Sequence, residues 1–356
     1  KEIIMATSFK TFDPSKDSVV TRNLLHEAIP VTGSIVSGTY ADNNIKNFSH
    51  GIFQSVYDYP FLSSSANHIF DLTCGYAATS SLSKSDGTVT QQTKKINIYN
   101  QMAQVLAGFD ANGAVRRFDE DGDLTEGAKI NEAYFINLTR LLYKDEVKKG
   151  SFTLSLGVSA SYGSPFAETI NITDASGSSG YKVNSPAGEY GILFASDGTG
   201  TPMSSPAGTP VGLLYYQAGI AVLTASVFGG ILTTSAEMNA AGATVNAILS
   251  GSAISGNCDE LRHRFENLSF NNTTELNSTV YFCRANNTDF NYSSNPTYLS
   301  SSQIVVKTDA QDVPISYVTA VGLYSADNEL LAVAKLSEPL KKDPTTEFTV
   351  RVRLDY

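Results

Sequence analysis

The chain has 356 residues, and its 35 acidic and 25 basic side chains give a formal net charge of −10 at pH 7. This charge argues against nonspecific nucleic-acid binding, which needs clustered Lys and Arg side chains to displace counterions from phosphates. The length favours two or three domains, and the low charged content of 17% is typical of β-rich proteins with neutral polar surfaces and of subunits that bury much surface in an assembly.

Residues 1–172 form the first predicted region, which mixes helices and strands. An Asp-Ser pair precedes residues 19–28 and can cap a helix there, which Pro30 would end,. Residues 32–40 then indicate a strand.

The rest of this region contains one further helix and a pair of strands. Residues 96–106 carry apolar side chains at helical spacing and predict a short amphipathic helix,. Residues 133–143 and 151–157 predict two strands that pair with each other, although a helix is an alternative for the first segment,.

An acidic turn at residues 119–123 invites comparison with the calcium loop of an EF-hand. With Gly122 at the sixth position of that loop, Arg117 stands at the first position and Ala128 at the twelfth, where carboxylate ligands are required,. A positive charge at the first ligand position argues against a calcium site. We therefore expect a solvated turn whose acidic residues tolerate replacement by Asn.

No other group of residues has the spacing of a catalytic or metal motif. His26, His50, His68 and His263 lie far apart in the sequence, and we expect His263 on a solvated helix face or at a subunit contact,. The three Cys residues include no CxxC pair, which fits buried small side chains in a reducing compartment,. Without a P-loop, a GxSxG motif or a GxGxxG after a strand, the sequence predicts no catalytic residue, no metal and no cofactor.

The remainder of the chain divides into two predicted regions. Residues 173–234 form a Gly/Ser-rich β region, in which residues 211–227 predict a strand pair with a turn or bulge at Gly219,. The Gly/Ser-rich stretch at residues 173–209 is the expected region boundary or, equally, a set of loops within one domain. Residues 235–356 form the last region, a helix over residues 235–249 followed by strands and turns,. The whole sequence predicts a mainly β fold with a few short helices (α+β), antiparallel sandwich-like sheets and a C-terminal β-hairpin or strand.

The most regular pattern lies at the end of the chain, where apolar and polar residues alternate from position 348 to position 354. A period of two predicts a strand with one buried and one solvated face. Because a free chain end often frays, we expect a partner for this strand, either the preceding hairpin or another subunit. The predicted interface residues are Phe348, Val350, Val352, Leu354 and Tyr356.

Several long segments resemble a virion structural protein of tailed bacteriophages, in particular of contractile-tailed phages of marine bacteria and cyanobacteria. These segments are KINIYNQMAQ at 95–104, YFINLTRLL at 134–142 with KGSF at 149–152, GLLYYQAG at 212–219, YSSNPTY at 292–298 and VGLYSADNELLAVAKL at 321–336.

The resemblance implies a non-enzymatic structural subunit of the tail, baseplate or neck. It implies no catalytic residues and no cofactor. The expected partners are other virion proteins and further copies of the chain in a symmetric ring, with no direct nucleic-acid contact and no membrane span. The expected location is the virion, after synthesis and assembly in the cytoplasm of the host bacterium.

Two alternatives stay open at this point. The first is an exposed receptor-binding, fibre-like or decoration protein, with residues 173–209 as a projecting module that binds glycans. The second is a secreted adhesin or surface glycoprotein. Numerous Asn-x-Ser/Thr sequons favour it,, whereas the lack of a signal-peptide pattern at the start argues against it.

Overall fold

A computed structural model describes residues 9–30, 42–83, 90–124, 127–197, 209–229, 235–291, 299–300, 303–304 and 313–356. The described residues form six α-helices, namely α1 Pro14–Asp17, α2 Thr90–Leu106, α3 Arg140–Tyr143, α4 Gly177–Gly180, α5 Val245–Gly251 and α6 Ile254–His263. Short 3-10 turns lie at Asp42–Asn44, Pro165–Ala167 and Ala225–Phe228.

Strands make up most of the regular structure. They are β1 Ser18–Pro30, β2 Ile45–Asn47, β3 Gln54–Tyr57, β4 His68–Tyr76, β5 Phe118–Asp119, β6 Lys129–Ile130, β7 Glu132–Leu138, β8 Glu146–Val147, β9 Thr153–Gly157, β10 Thr169–Thr173, β11 Lys182–Ser185, β12 Gly188–Asp197, β13 Thr209–Tyr215, β14 Ile220–Thr224, β15 Phe265–Ala285, β16 Leu299–Ser300, β17 Gln303–Ile304, β18 Ser316–Tyr324, β19 Leu330–Lys342 and β20 Phe348–Asp355.

The chain divides into two compact units. Unit 1 comprises Lys1–Leu24 and Glu275–Tyr356, and unit 2 comprises Leu25–Thr274. This division differs from the three predicted regions. The predicted boundary after residue 172 falls inside β10, which pairs with β9 before it and with β12 after it, so hydrogen bonds hold the two sides of that boundary in one unit.

Unit 2 is built on an antiparallel sheet in the order β15–β9–β10–β12–β13–β14–β7–β4–β3–β2. Ala133, Tyr134, Phe135 and Ile136 of β7 are consecutive and all fully buried. A continuous buried run of this kind is typical of a strand that is covered on both faces. The large apolar core of the described chain lies in this unit.

Helices α2 and α6 pack against β4 in unit 2. Gly75 of β4 permits the close approach of α2, because a Cβ atom at this position would lie 2.5 Å from the carbonyl oxygen of Lys95 and 2.9 Å from the backbone nitrogen of Tyr99,. The Tyr99 side chain is buried beside it, and its hydroxyl donates a hydrogen bond of 2.6 Å to the carbonyl oxygen of Ile130.

Unit 1 contains two well-defined antiparallel sheets among its described residues. In one, β20 pairs with the last part of β15, from Ser278 opposite Asp355 to Ala285 opposite Phe348. In the other, β18 pairs with β19 in a two-stranded hairpin. A further short pair joins β16 and β17.

The structure confirms the predicted fold class. The described chain is mostly strand with six short helices, its sheets are antiparallel, and the final alternating segment forms β20. The predicted helix over residues 96–106 is the second part of α2, and the predicted pair over residues 211–227 contains β13 and β14. Gly219 forms their turn with a φ of +64°, a conformation that favours glycine,.

The predicted helix over residues 19–28 is wrong, because these residues lie in β1. Val19, Val20 and Thr21 are β-branched, which favours a strand once a partner strand is present, and β1 is a neighbour of β15. A short helix, α1, precedes the strand. Its cap is Asp13, whose carboxylate accepts a hydrogen bond of 3.0 Å from the N–H of Ser15.

Two further expectations need correction. The strands β7 and β9 do not pair with each other, since β7 lies between β4 and β14 and β9 lies between β10 and β15. Of the helix predicted over residues 235–249, only the end is helical, because α5 begins at Val245 with Thr244 as its cap. The strand predicted over residues 32–40 lies outside the described residues.

Candidate assembly surface

Four of the five predicted interface residues lie on the more buried face of β20. Val352 is buried opposite Tyr281 of β15, and Phe348, Val350 and Leu354 are half-buried on the same face. The side chains between them are exposed, so burial alternates as the sequence predicts. These four side chains therefore contribute to the inner packing of unit 1.

Tyr356 is the exception, since its side chain is 73% exposed. Its backbone exchanges two hydrogen bonds with Asn277, of 2.8 and 3.1 Å. Its hydroxyl lies 3.1 Å from the hydroxyl oxygen of Thr279. The backbone at this position is thus held in register while the ring stays at the surface.

The hairpin of β18 and β19 has one half-buried face. Val321 lies opposite Ala334, and Leu323 lies opposite Ala332. Of these four side chains Leu323 is buried and the others are partly buried. This face is therefore the more buried side of the hairpin.

The opposite side of the hairpin is apolar and exposed. Tyr324, Leu330, Leu331 and Val333 are between 47% and 66% exposed. A register shift next to Tyr324 interrupts the regular pairing, and such an irregularity allows consecutive side chains to be exposed. A cluster of large apolar side chains on a solvent-facing strand is typical of a surface that another protein covers.

A buried lysine anchors the end of this hairpin. The ammonium group of Lys342 donates hydrogen bonds of 2.7 Å to the side-chain oxygen of Asn291 and of 2.9 Å to the carbonyl oxygen of Asp343. Hydrogen bonds from the hydroxyls of Thr346 and Thr345 hold the pKa of Asp343 below its ordinary value,. The hydrogen bonds of Lys342 tie the end of β19 to Asn291 within unit 1.

Unit 1 has little core of its own. Among its described residues, the buried apolar side chains are Val280, Ala285, Leu323 and Val352. More than half of the large exposed apolar side chains of the described chain lie in this unit, although it holds less than a third of the residues. We define the exposed apolar side chains of the hairpin as the candidate assembly surface, namely Tyr317, Tyr324, Leu330, Leu331, Val333 and Leu340.

The acidic turn was the strongest candidate for a metal site. Within the described ranges, Asp119, Asp121 and Asp123 are the one group of three or more His, Cys, Asp or Glu side chains whose ligand atoms all lie within 4.8 Å of one another. Asp119 is buried, 3.0 Å from the ammonium group of Lys129, and accepts a hydrogen bond of 2.6 Å from the N–H of Leu124. The expected solvated turn is therefore wrong for Asp119 and correct for Asp121 and Asp123.

Of the two placements expected for His263, the solvated helix face is wrong, and the subunit contact stays a prediction. The His263 ring is half-buried and stacks on Tyr162 with the ring centroids 4.2 Å apart. Arg264 is fully buried, and its guanidinium donates hydrogen bonds of 3.0 and 3.1 Å to the carbonyl oxygens of Gly157 and Ser159. Sequence reasoning missed this role, because an Arg after an apparent helix end gives no sign of burial.

The sequence indicates a buried structural role for all three cysteines, and two of them have it. Cys74 and Cys258 are fully buried, Cys283 is half-buried, and all three are free thiols. Burial raises the pKa of the Cys74 thiol to about 12,. Cys74 and Cys258 therefore behave as small apolar side chains.

Sequence reasoning also missed the candidate assembly surface, although a signal exists. Residues 330–336 are apolar at every position except Lys335. A strand with one wet face alternates, whereas a nearly continuous apolar run is typical of a strand covered on both faces. In the structure only one face of this run is partly buried.

Comparison of the chain with protein-family models, curated proteins and solved structures gives no match. Over the part of the chain that the structure describes, no helix combines the length and the hydropathy that a bilayer crossing requires.

Proposed function

We propose that this chain is a non-enzymatic structural subunit of a tailed-bacteriophage virion, which assembles through the β-rich surface of unit 1 into the tail, baseplate or neck. The observation that carries the proposal is the mismatch in unit 1 between a large exposed apolar surface and a small core.

The energetic argument concerns the hairpin of β18 and β19. An isolated two-stranded hairpin is at best marginally stable in water, and it gains stability when an apolar face is covered. One face of this hairpin is partly buried, and the other exposes Tyr324, Leu330, Leu331 and Val333. Covering the second face by a neighbouring subunit would remove these side chains from water and stabilise unit 1.

The buried ionisable groups of unit 2 support a structural role. Lys95 is fully buried, and its ammonium group donates hydrogen bonds to the carbonyl oxygens of Leu249 and Ser252 at the end of α5. These bonds satisfy carbonyl groups that the helix leaves free. Like Arg264, this side chain holds backbone in place.

No observation favours the receptor-binding alternative. It predicts a projecting module at residues 173–209 with clustered Tyr side chains. Up to residue 197, where the described part of this segment ends, the chain forms β11 and β12 within the sheet of unit 2, and Tyr190 is buried.

The proposal includes the partners and location implied by the resemblance. The chain assembles with further copies of itself and with other virion proteins, uses no cofactor, and is built into particles in the bacterial cytoplasm. Free cysteines are compatible with that reducing compartment,. Symmetric rings are a common arrangement for such subunits, because one interface is repeated around the axis.

Peptide mass spectrometry of gradient-purified particles, with isotope-labelled standards for peptides of unit 2, tests the proposal. The expected result is a constant copy number per particle across independent preparations, while a host cytoplasmic protein used as a control falls with each purification step. Loss of the chain in parallel with the control would contradict the proposal.

A further inference from the structure

We propose that two copies of the chain pair antiparallel through the free edge of β18, so that their hairpins form one four-stranded sheet in the order β19–β18–β18–β19 about a two-fold axis. The inference deepens the proposed function, and it rests on that function for the claim that this pairing is used in a particle.

The two edges of the hairpin differ in how they are protected. The 13 residues of β19 include Lys335, Glu338, Pro339 and Lys341. Charged side chains and proline on an edge strand prevent pairing with other chains. The outer edge of β19 therefore has the features of an edge that stays free.

The edge of β18 has none of these features. Its nine residues, Ser316–Tyr324, include no charged residue and no proline, and are rich in Val, Tyr and Thr side chains, which favour strands,. Among the described strands β19 is its one partner, and within that part of the chain no strand pairs with the N–H and C=O groups of its other edge,. Such an edge is a template for an added strand.

A second copy of β18 fits this edge by its charge and by its aromatic residues. Like charges that face each other would destabilise a two-fold pair of strands. Because β18 is neutral, pairing it with itself brings no like charges together. Tyr317 and Tyr324 stand near opposite ends of β18 and are 60% and 47% exposed. An antiparallel copy brings Tyr317 of each chain beside Tyr324 of the other.

The pattern of burial along β18 places both Tyr side chains on the same, exposed face of the sheet. In a regular strand, residues 317 and 324 would face opposite sides, because the side-chain period is two. A register shift lies between Val318 and Ala320, and the alternation of burial reverses there. Both Tyr side chains are thereby exposed, although one side of the Tyr324 ring packs edge-on against Phe9 of the same chain, with the ring centroids 5.3 Å apart. The exposed side of each ring is open to a cross-strand aromatic pair, and such pairs stabilise sheets.

Charge substitutions in the middle of β18 test the pairing. Ala320 is exposed at the centre of the strand, so a two-fold axis through the pair brings both copies of this position close together. The test uses light scattering of the full chain, Ala320→Lys, Ala320→Glu and their equimolar mixture, with circular dichroism to verify folding. The matched control is Ser337→Lys, which places the same charge at an exposed position of β19.

The expected mass is twice 38.1 kDa for the unsubstituted chain and for Ser337→Lys, and 38.1 kDa for each Ala320 variant alone. Mixing the Lys and Glu variants restores the doubled mass, because opposite charges then meet at the axis. Three results would overturn the inference: an unsubstituted chain of 38.1 kDa at every concentration, which would leave the edge to a strand of another protein; an undiminished dimer of Ala320→Lys; or a mixture that stays monomeric.

The inference and the proposed function fail in different ways. A chain that is monomeric in solution but constant in copy number in purified particles overturns the pairing and leaves the proposed function intact. Conversely, the chain can form a dimer that Ala320→Lys dissociates and yet be absent from purified particles. That result overturns the proposed function and leaves the pairing intact.

Discussion

The hydroxyl of Tyr216 donates a hydrogen bond of 3.0 Å to the carboxylate of Asp174, and both side chains are fully buried in unit 2. The same carboxylate accepts hydrogen bonds from the N–H groups of Gly150 at 2.7 Å and Phe152 at 2.9 Å. Burial raises the pKa of Asp174 above its ordinary value, although these three donors act in the opposite direction,. The buried carboxylate thus ties the segment before β9 to the end of β13.

Tyr216→Phe should lower the free energy of unfolding by about 1.5 to 3 kcal/mol, because a buried carboxylate loses one of its three donors. Urea denaturation followed by circular dichroism measures the change. Tyr181→Phe is the control, since that ring is partly exposed, and it should change stability by less than about 0.5 kcal/mol. Equal effects of the two substitutions would contradict the role assigned to the Tyr216 hydroxyl.

Glu260 should make stability depend on pH in the acidic range. Burial, followed by the negative charge of Asp259, raises the pKa of Glu260 from 4.5 to about 7,. Between these values the folded protein keeps a proton that the unfolded chain has lost, so the free energy of unfolding falls as the pH rises through this window. The contribution is complete below pH 4.5 and is lost above about pH 7,.

Denaturation of Glu260→Gln and of the unsubstituted chain across this pH range isolates the effect, since the other titrating groups cancel in the difference. The variant should gain stability relative to the unsubstituted chain as the pH rises. The exposed Glu266→Gln serves as the control and should follow the unsubstituted chain. A difference curve for Glu260→Gln that is flat between pH 4.5 and 7 would rule out this titration.

The acidic turn should respond unequally to the loss of its carboxylates. Asp119→Asn leaves the buried side of the Lys129 ion pair without its negative charge, and should cost about 3 kcal/mol, as breaking a buried pair does. Asp121→Asn removes an exposed charge and should change stability by about 0.5 kcal/mol or less. Thermal melts of the two variants make the comparison, and similar losses would show that the Asp119 pair is not a stabilising contact.

Gly75→Ala should be among the most destabilising substitutions in unit 2. The added Cβ would lie 2.5 Å from a backbone carbonyl oxygen of α2, so helix and strand must separate, at a cost of about 3 kcal/mol or more. Gly251→Ala is the control, because a Cβ there meets no atom within 4 Å. Urea denaturation that found the two variants equally stable would contradict the close packing of α2 on β4.

Local patterns in the sequence predict those elements whose environment is simple. The alternation at residues 348–354 gives β20 and its more buried face, because one face meets unit 1 and the other meets water,. The helical spacing at residues 96–106 gives α2, since one side of that helix packs on β4,. Gly219 marks the turn between β13 and β14,.

The remaining features depend on contacts that are distant in sequence. Residues 19–28 form a strand because β15, some 250 positions later,, supplies a partner that local propensity does not reveal. Arg264 is buried because the carbonyl groups of Gly157 and Ser159 converge on it. The exposed face of β19 was not predicted, because a nearly continuous apolar run is typical of a strand that is covered on both faces. In the structure one face of this strand is exposed.

Hydrogen–deuterium exchange of the chain, compared between purified particles and a dilute solution in which light scattering gives 38.1 kDa, tests most directly the claim that unit 1 is completed by assembly. Peptides from β18 and β19 should exchange more slowly in the particle, because the proposed neighbouring subunit covers the free edge of β18 and the apolar face of the hairpin. Peptides from β7 and β14 in the core of unit 2 serve as the internal control and should exchange equally in both states. Equal exchange of the hairpin in the particle and in solution would contradict the claim.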